Sequence, residues 1–141
     1  MNETKYHTLA HIALRALQDL YGDNTKNEGC NMNDDRLRID FSLDRKMTEE
    51  EKIKLVDIIN SYIDMNIDVT KEEMTLEEAH NCGAHGDFSY GDKVTVYKIG
   101  NISNEICGGP HVNNTSELSH VKLIKEESSS KGVRRIKLQM I

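Results

Sequence analysis

The chain has 141 residues, of which 37% are hydrophobic and 30% charged, and its formal net charge at pH 7 is −6. This composition is too apolar for a disordered chain and too polar for a membrane protein, and no apolar run approaches the ~18–20 residues of a spanning helix. The acidic balance excludes a bulk polycationic nucleic-acid binder, because phosphate contacts require clustered Lys and Arg. Three widely spaced cysteines without a CxxC motif indicate a reducing compartment rather than a disulfide framework. A soluble, cytoplasmic protein with a single domain over residues 1–141 is expected.

The first half of the chain predicts two helices and one clear strand. Leu37, Ile39 and Phe41 alternate with polar residues, which is typical of a half-buried strand. Thr48 and Glu51 form a capping box that begins a helix, whose apolar stripe is expected to start at Ile53. The predicted elements are a helix over 4–21, a loop or weak hairpin over 25–35, a strand over 36–41, and a helix from 48 to about 66.

The second half is richer in strands. A second capping box, Thr75 to Glu78, opens a short helix that Gly83 ends. The other predicted elements are strands over 67–71, 93–99, 121–125 and 133–140, a long loop region over 100–119, and a turn over 128–132. Because the last strands follow one another without a helix, the pattern favours an α+β fold, with a largely antiparallel sheet and the helices packed on one face.

Positive charge is concentrated at the end of the chain. Residues 119–141 contain six basic and two acidic residues, a net of +4, which leaves −10 on the first 118 residues. Two interpretations are open: a basic edge that docks a specific nucleic acid, or an ordinary solvated strand face.

Histidines provide the first candidate site. His7 and His11 are spaced i, i+4 on the first predicted helix, so that both imidazoles project from one face and can converge on one metal ion. The zinc protease motif requires Glu directly after the first His, and Thr8 stands there, which excludes that interpretation. An ordinary pair of helix histidines remains the alternative.

A second candidate cluster lies in the Cys-Gly-Gly-Pro-His sequence at 107–111. Its two glycines and proline form a stiff turn that lets a ligand approach the backbone closely. Cys107 and His111 added to His7 and His11 give four ligands that suit Zn²⁺ better than Mg²⁺ or Ca²⁺. A tight turn with a buried thiol is the alternative for this half.

These motifs carry a resemblance to a known family. HxxxH near the start of a helix, followed far downstream by CxxxH, resembles the editing domain of alanyl-tRNA synthetases, the related threonyl-tRNA synthetase domain, and small freestanding alanyl-tRNA editing proteins. Other segments are similar in the same order along nearly the whole chain. They are RLRIDFS at 36–42, EEA leading to GA at 77–84, EICGGPHV at 105–112, NTSEL at 114–118 and GVRRI at 132–136.

The resemblance implies a hydrolase that cleaves the ester of mischarged Ser-tRNA(Ala), and in some members Gly-tRNA(Ala). A chain of 141 residues has no room for an aminoacylation domain, so action in trans on released aminoacyl-tRNA is expected. The implied cofactor is Zn²⁺, which can polarise the ester carbonyl, lower the pKa of a bound water, or hold the seryl group. The sequence leaves these three roles open, and the mischarged tRNA acceptor end is the expected partner.

Further residues receive candidate roles. Asp40 is a candidate base or orienting residue, with a structural role as the alternative, and the backbone N–H groups of Gly108 and Gly109 can stabilise an oxyanion. By alignment with the family, Asn27 and Cys30 line the amino-acid pocket. Phosphate contacts are expected from three residues of the last strand, with pairing to a carboxylate as the alternative for one of the arginines: Arg134, Arg135 and Lys137. Surface or turn positions are expected for the other histidines: His80, His85 and His120.

One departure from the alanyl-type pattern keeps an alternative substrate open. Pro110 stands where alanyl-type loops usually have Thr, and the Gly-Pro-His-Val ending is closer to threonyl-type loops, which act on Ser-tRNA(Thr). A non-catalytic, zinc-stabilised module that binds tRNA or protein is the alternative from another functional class.

Overall fold

The computed structural model describes residues 2–75, 77–78, 93–100, 103–106 and 111–141. Helices and strands are interspersed along the described part of the chain in an α+β arrangement, as predicted. They are α1 (Asn2–Tyr21), β1 (Asn27–Met32), β2 (Leu37–Ser42), α2 (Glu49–Asp64), β3 (Val69–Thr75), β4 (Lys93–Ile99), β5 (Ser103–Ile106), a 3₁₀ turn (Thr115–Glu117), β6 (Val121–Ser130) and β7 (Val133–Met140).

The strands form two antiparallel sheets where the sequence predicted one. The larger sheet has the order β1-β2-β7-β6 and the smaller one the order β3-β4-β5. Every strand pair in both sheets is antiparallel. Partition into two sheets depends on which distant strands pair, and such pairing has no local sequence signal.

Helix α1 packs on the inner face of the larger sheet. Most of its apolar stripe is fully buried in one core with residues of β2, β7 and α2, while Leu14 and Leu20 are partly buried. Tyr6 fixes the start of the helix, because its hydroxyl donates to the Asp35 carbonyl at 3.0 Å and accepts from the Met140 N–H at 2.9 Å. The fully buried members of this core from α1, β2 and β7 are Leu9, Ile12, Ala13, Ala16, Leu17, Leu37, Ile39, Phe41, Ile136 and Leu138.

Helix α2 begins at the predicted capping box. The Thr48 hydroxyl accepts from the Glu51 N–H at 3.1 Å, and the Glu51 carboxylate accepts from the Thr48 N–H at 2.9 Å. The expected stripe is wrong at its first position, since Ile53 is 63% exposed. The buried face is instead formed by Leu55, Ile59 and Ile63, at i, i+4 and i+8.

Several loops proved to be more ordered than predicted. Of the two alternatives for 25–35, the hairpin is confirmed: β1 pairs with β2, and the Asn33 side chain closes their turn by accepting from the N–H groups of Asp35 and Arg36. The predicted loop over 100–119 contains β5 and the 3₁₀ turn. Strand β6 extends to Ser130 rather than Lys125, and its pairing with β7 contains two irregularities, between Leu123 and Lys125 and between Ser128 and Ser130.

Candidate metal centre

His7 and His11 lie one turn apart on α1, at the margin of its buried stripe. Both side chains are partly buried. Their ring centroids are 6.0 Å apart with nearly perpendicular planes. Helical geometry alone accounts for this pair, because side chains at i and i+4 lie one above the other.

His111 arrives at the same place from the other end of the chain. Its ring centroid lies 4.5 Å from that of His7 and 4.8 Å from that of His11. One ligand atom from each of the three residues lies within 4.8 Å of the others. Three imidazoles at this spacing fit a Zn²⁺ ion, whose ligands are typically nitrogen and sulfur.

Two residues that sequence reasoning did not assign to the site hold the His111 ring. The Tyr97 ring, on β4, meets it edge-on at a centroid distance of 4.2 Å. The Thr8 hydroxyl lies 3.1 Å from His111 Nδ1. In the sequence, Thr8 was informative only because it excludes the zinc protease motif. No local pattern around Tyr97 indicates a contact with a loop histidine.

The segment after His111 is anchored to the end of α2. Thr115 is fully buried, and its hydroxyl donates to the Ile63 carbonyl at 3.2 Å and accepts from the Ile67 N–H at 2.9 Å. The Val69 N–H donates to the Asn113 carbonyl at 2.8 Å. His111 is therefore tied to α1 on one side and to the α2–β3 connection on the other.

Cys107, Gly108 and Gly109 lie outside the described residues, as do Pro110, His80 and His85. The fourth predicted metal ligand and the predicted oxyanion donors therefore stay predictions. His120 is exposed, as expected, and its Nε2 lies 2.7 Å from an Asp64 carboxylate oxygen.

Asp40 is engaged by neighbouring side chains. Arg135 donates to its two carboxylate oxygens at 2.9 and 3.1 Å, and the Ser129 hydroxyl donates at 3.0 Å. The hydrogen bond from Arg135 holds the pKa of the Asp40 carboxyl below its usual range. This geometry is that of a structural ion pair. A structural role was the alternative to a base or orienting residue for Asp40.

The three basic candidates on β7 all face carboxylates. Arg134 forms an ion pair with Glu126 at 2.5 Å, in which the two side chains are only 13% and 3% exposed. Arg135 pairs with Asp40. Lys137 Nζ lies 3.7 Å from a Glu127 oxygen, and the side chains of Lys137 and Glu127 are each about a third exposed. Lys137 thus has the longest of the three ion pairs.

Asn27 and Cys30 lie on β1, the edge strand of the larger sheet. The Asn27 side chain accepts from the Gly29 N–H at 3.0 Å, at the irregularity between these residues. Cys30 is exposed and faces Ile39 across the strand pair. Their assignment to an amino-acid pocket stays a prediction.

Among the described residues, neither helix combines the length and the apolar character that a membrane crossing requires.

Comparison with known proteins finds a matching family and similar ligases. The family described as "Threonyl and Alanyl tRNA synthetase second additional domain" matches residues 94–137. An alanine–tRNA ligase of Borreliella afzelii (strain PKo) is 46% identical over 140 residues, which cover 98% of this chain and 24% of the ligase. The ligase of Treponema denticola is 46% identical over 136 residues, 95% of this chain and 23% of the ligase. The ligase of Listeria monocytogenes serotype 4b (strain F2365) is 42% identical over 134 residues, which cover 94% of this chain and 15% of the ligase.

The chain spans about a quarter or less of the length of these curated relatives. The aligned region includes nearly all of this chain, so the similarity is not confined to the histidine and cysteine motifs. The resemblance inferred from those motifs is confirmed: the chain belongs to the alanyl-tRNA synthetase editing-domain family.

Proposed function

We propose that the chain hydrolyses the ester bond of mischarged Ser-tRNA(Ala), with Gly-tRNA(Ala) as a further substrate, at a zinc site. The observation that carries the proposal is the convergence of His7, His11 and His111, from two distant segments of a chain of this family. We further propose that it acts in the cytoplasm.

The zinc ligands in this proposal are the three clustered histidines together with Cys107. Zinc bound there would supply Lewis-acid polarisation of the ester carbonyl. A catalytic zinc site usually keeps one position open, and an ion held by these residues would offer that position to the ester or to a water molecule.

Other residues of the chain bind and orient the substrate in this proposal. Gly108 and Gly109 offer backbone N–H groups to the developing oxyanion, while Asn27 and Cys30 border the seryl group. A polar group placed for the serine hydroxyl rejects alanine more strongly than an apolar pocket does, because alanine leaves that group unpaired. Asp40 contributes by holding Arg135 in place rather than as a base.

Lys137 is the best supported of the basic candidates for contact with tRNA. It lies between the buried Ile136 and Leu138, so its side chain projects from the face of the larger sheet opposite α1. There it is directly opposite Arg38 on β2 and Lys125 on β6. Like charges in one cross-strand row repel one another, and a phosphate group would relieve that repulsion.

The three cations of this row outnumber the two carboxylates beside them, Glu127 and Asp40. Glu127 faces both lysines, at 3.2 Å from Lys125 and 3.7 Å from Lys137. Arg38 Nε is buried and meets no hydrogen-bond partner among the described residues. A phosphate contact from Arg38 would therefore have to come from the terminal nitrogens of its guanidinium. Arg134, in its nearly buried pair with Glu126, is the weakest of the three candidates.

The first experiment is a deacylation time course on Ser-tRNA(Ala) and Ser-tRNA(Thr), with Ala-tRNA(Ala) as the correctly charged control. We expect rapid loss of serine from tRNA(Ala) only. His7→Ala should lower this rate by more than about 100-fold. Loss of a residue that only hydrogen-bonds to a metal ligand typically costs about 10–100-fold, so a larger loss indicates a ligand. His120→Ala is the matched control, because His120 is exposed and pairs with Asp64 outside the cluster.

The other candidate functions predict different outcomes. Preferential loss of serine from tRNA(Thr) would indicate threonyl-type editing. No loss from any tRNA, by a folded chain supplied with zinc, would contradict the proposal and favour the binding module. Chelation separates the roles of the metal, since a structural zinc predicts unfolding and an editing zinc predicts lost activity with the fold retained.

A further inference from the structure

Thr8 is a buried polar residue between the two histidines of α1. It is fully shielded from solvent, whereas hydroxyl side chains in a helix often face water. Its side chain contacts the segment of His111, which is 103 residues away in the sequence.

The Thr8 hydroxyl has three polar neighbours. It lies 3.4 Å from the Thr4 carbonyl, 3.1 Å from the Val112 N–H and 3.1 Å from His111 Nδ1. A hydroxyl donates one hydrogen bond and accepts two. Because the Thr4 carbonyl can only accept and the Val112 N–H can only donate, all three contacts are hydrogen bonds under one assignment. Thr8 then donates to Thr4 and accepts from both Val112 and the Nδ1–H of His111.

This assignment determines the tautomer of the His111 ring. A neutral imidazole carries one proton, so a proton on Nδ1 leaves the lone pair on Nε2. Nε2 is then the nitrogen with which His111 can bind a metal. The same hydroxyl accepts from the backbone of Val112, and it therefore holds both the ring and the adjoining main chain against the helix that carries His7 and His11.

We propose that Thr8 is a positioning residue for the metal centre: it holds His111 as the Nδ1–H tautomer and directs Nε2 towards the ion that His7 and His11 share. The inference rests on the zinc site of the proposed function. Thr8 is not a metal ligand in this proposal, and its loss would affect the metal centre through His111. Partners of this kind typically change metal affinity by about 10–100-fold.

The test measures the zinc affinity of the metal-depleted chain by competition with a chromophoric chelator, without tRNA. Thr8→Val removes the hydroxyl at nearly constant volume, and we expect it to weaken zinc binding by about 10–100-fold. Thr8→Ser keeps the hydroxyl and should restore the affinity of the unmodified chain. Thr48→Val is the matched control: it removes the hydroxyl that caps α2, at the end opposite the Ile63 contact, and should reduce stability without weakening zinc binding.

A second measurement does not depend on whether Thr8→Val folds. Nitrogen-15 NMR of the imidazoles in the unmodified chain without metal, at a pH where the rings are neutral, reports which nitrogen of His111 carries the proton. We expect protonated Nδ1 and unprotonated Nε2. The opposite tautomer would overturn the inference.

The outcomes separate this inference from the function on which it rests. Unchanged zinc affinity in folded Thr8→Val, or equal weakening in Thr8→Val and Thr48→Val, would overturn the role of Thr8 while leaving the zinc site intact. Failure of the unmodified chain to bind zinc would overturn both. Deacylation plays no part in these readouts, so an inactive but zinc-binding chain would contradict only the proposed reaction.

Discussion

The two sides of the histidine cluster are built by different means. His7 and His11 lie on α1, whose apolar stripe packs against β2 and β7 in the main core, so local periodicity and hydrophobic burial suffice to place them. His111 lies in a short segment held by hydrogen bonds to Thr8, to Ile67 and to the end of α2. One side of the site therefore depends on apolar burial and the other on a few buried polar contacts.

The largest effect on stability is expected from the core beneath α1. Ile39 is fully buried, and Ile39→Ala should lower the free energy of unfolding by about 2–5 kcal/mol, because it removes buried methyl groups and leaves a cavity. Chemical denaturation measures this loss, and the zinc affinity of the folded fraction should change little. Ile53→Ala is the matched control, since Ile53 is exposed and its loss should cost less than about 0.5 kcal/mol. Equal losses in both variants would contradict the described core.

Thr115→Val tests the polar side of the site. It leaves the Ile63 carbonyl and the Ile67 N–H without the hydroxyl they share, and should cost about 1–3 kcal/mol of unfolding free energy. In contrast to Ile39→Ala, it should also weaken zinc binding, because the segment that carries His111 loses its attachment to α2. Thr115→Ser keeps the hydroxyl and should retain most of both properties. A variant that loses stability but binds zinc normally would show that the anchor does not serve the site.

The smallest effect is expected at the other end of α2. Hydrogen bonds from Arg45 and then from the Thr48 backbone lower the pKa of Glu51 to about 2. A carboxyl whose pKa is lower in the folded chain stabilises it above the pKa of the unfolded chain, ~4.3, and this contribution is lost as the pH falls towards 2. Glu51→Gln should cost about 1 kcal/mol at pH 7 and flatten the decline of stability between pH 5 and 2.

Thermal unfolding across this pH range measures the effect of Glu51→Gln. Glu50→Gln is the matched control, because the Glu50 side chain is 80% exposed and only pairs with Lys54 at 3.5 Å. Zinc affinity should be unchanged in both variants. A pH profile of Glu51→Gln that retains the slope of the unmodified chain would assign the acid sensitivity to other carboxylates, such as Asp40.

Much of the fold could be predicted because its signals are local. Alternation in β2 and the capping box of α2 each indicated an element that the structure contains. Errors arose where burial depends on a distant neighbour. Ile53 was assigned to the buried stripe of α2, yet it is exposed, because the orientation of that helix is set by the elements it packs against. The division into two sheets was missed for the same reason.

The site divides in the same way. Helical periodicity, together with the family motifs, was sufficient to select His7, His11 and His111 as partners. The ion pairs of Arg134 and Arg135 required the strand register, which places Arg135 opposite both Asp40 and Glu127. Without that register, the charges of β7 could not be divided between structural pairs and candidate phosphate contacts.

The amino-acid order was enough to infer the family, the spacing of the helix histidines, the capping box of α2 and the buried faces of α1 and β2. The atoms around His111 became known from tertiary contacts: the ring edge of Tyr97 and the hydroxyl of Thr8. The two kinds of information differ in the range over which they act. Periodicity and capping act over one or two helical turns, whereas a hydrogen bond across 103 residues forms only when strand pairing and core burial have already brought both ends of the chain together.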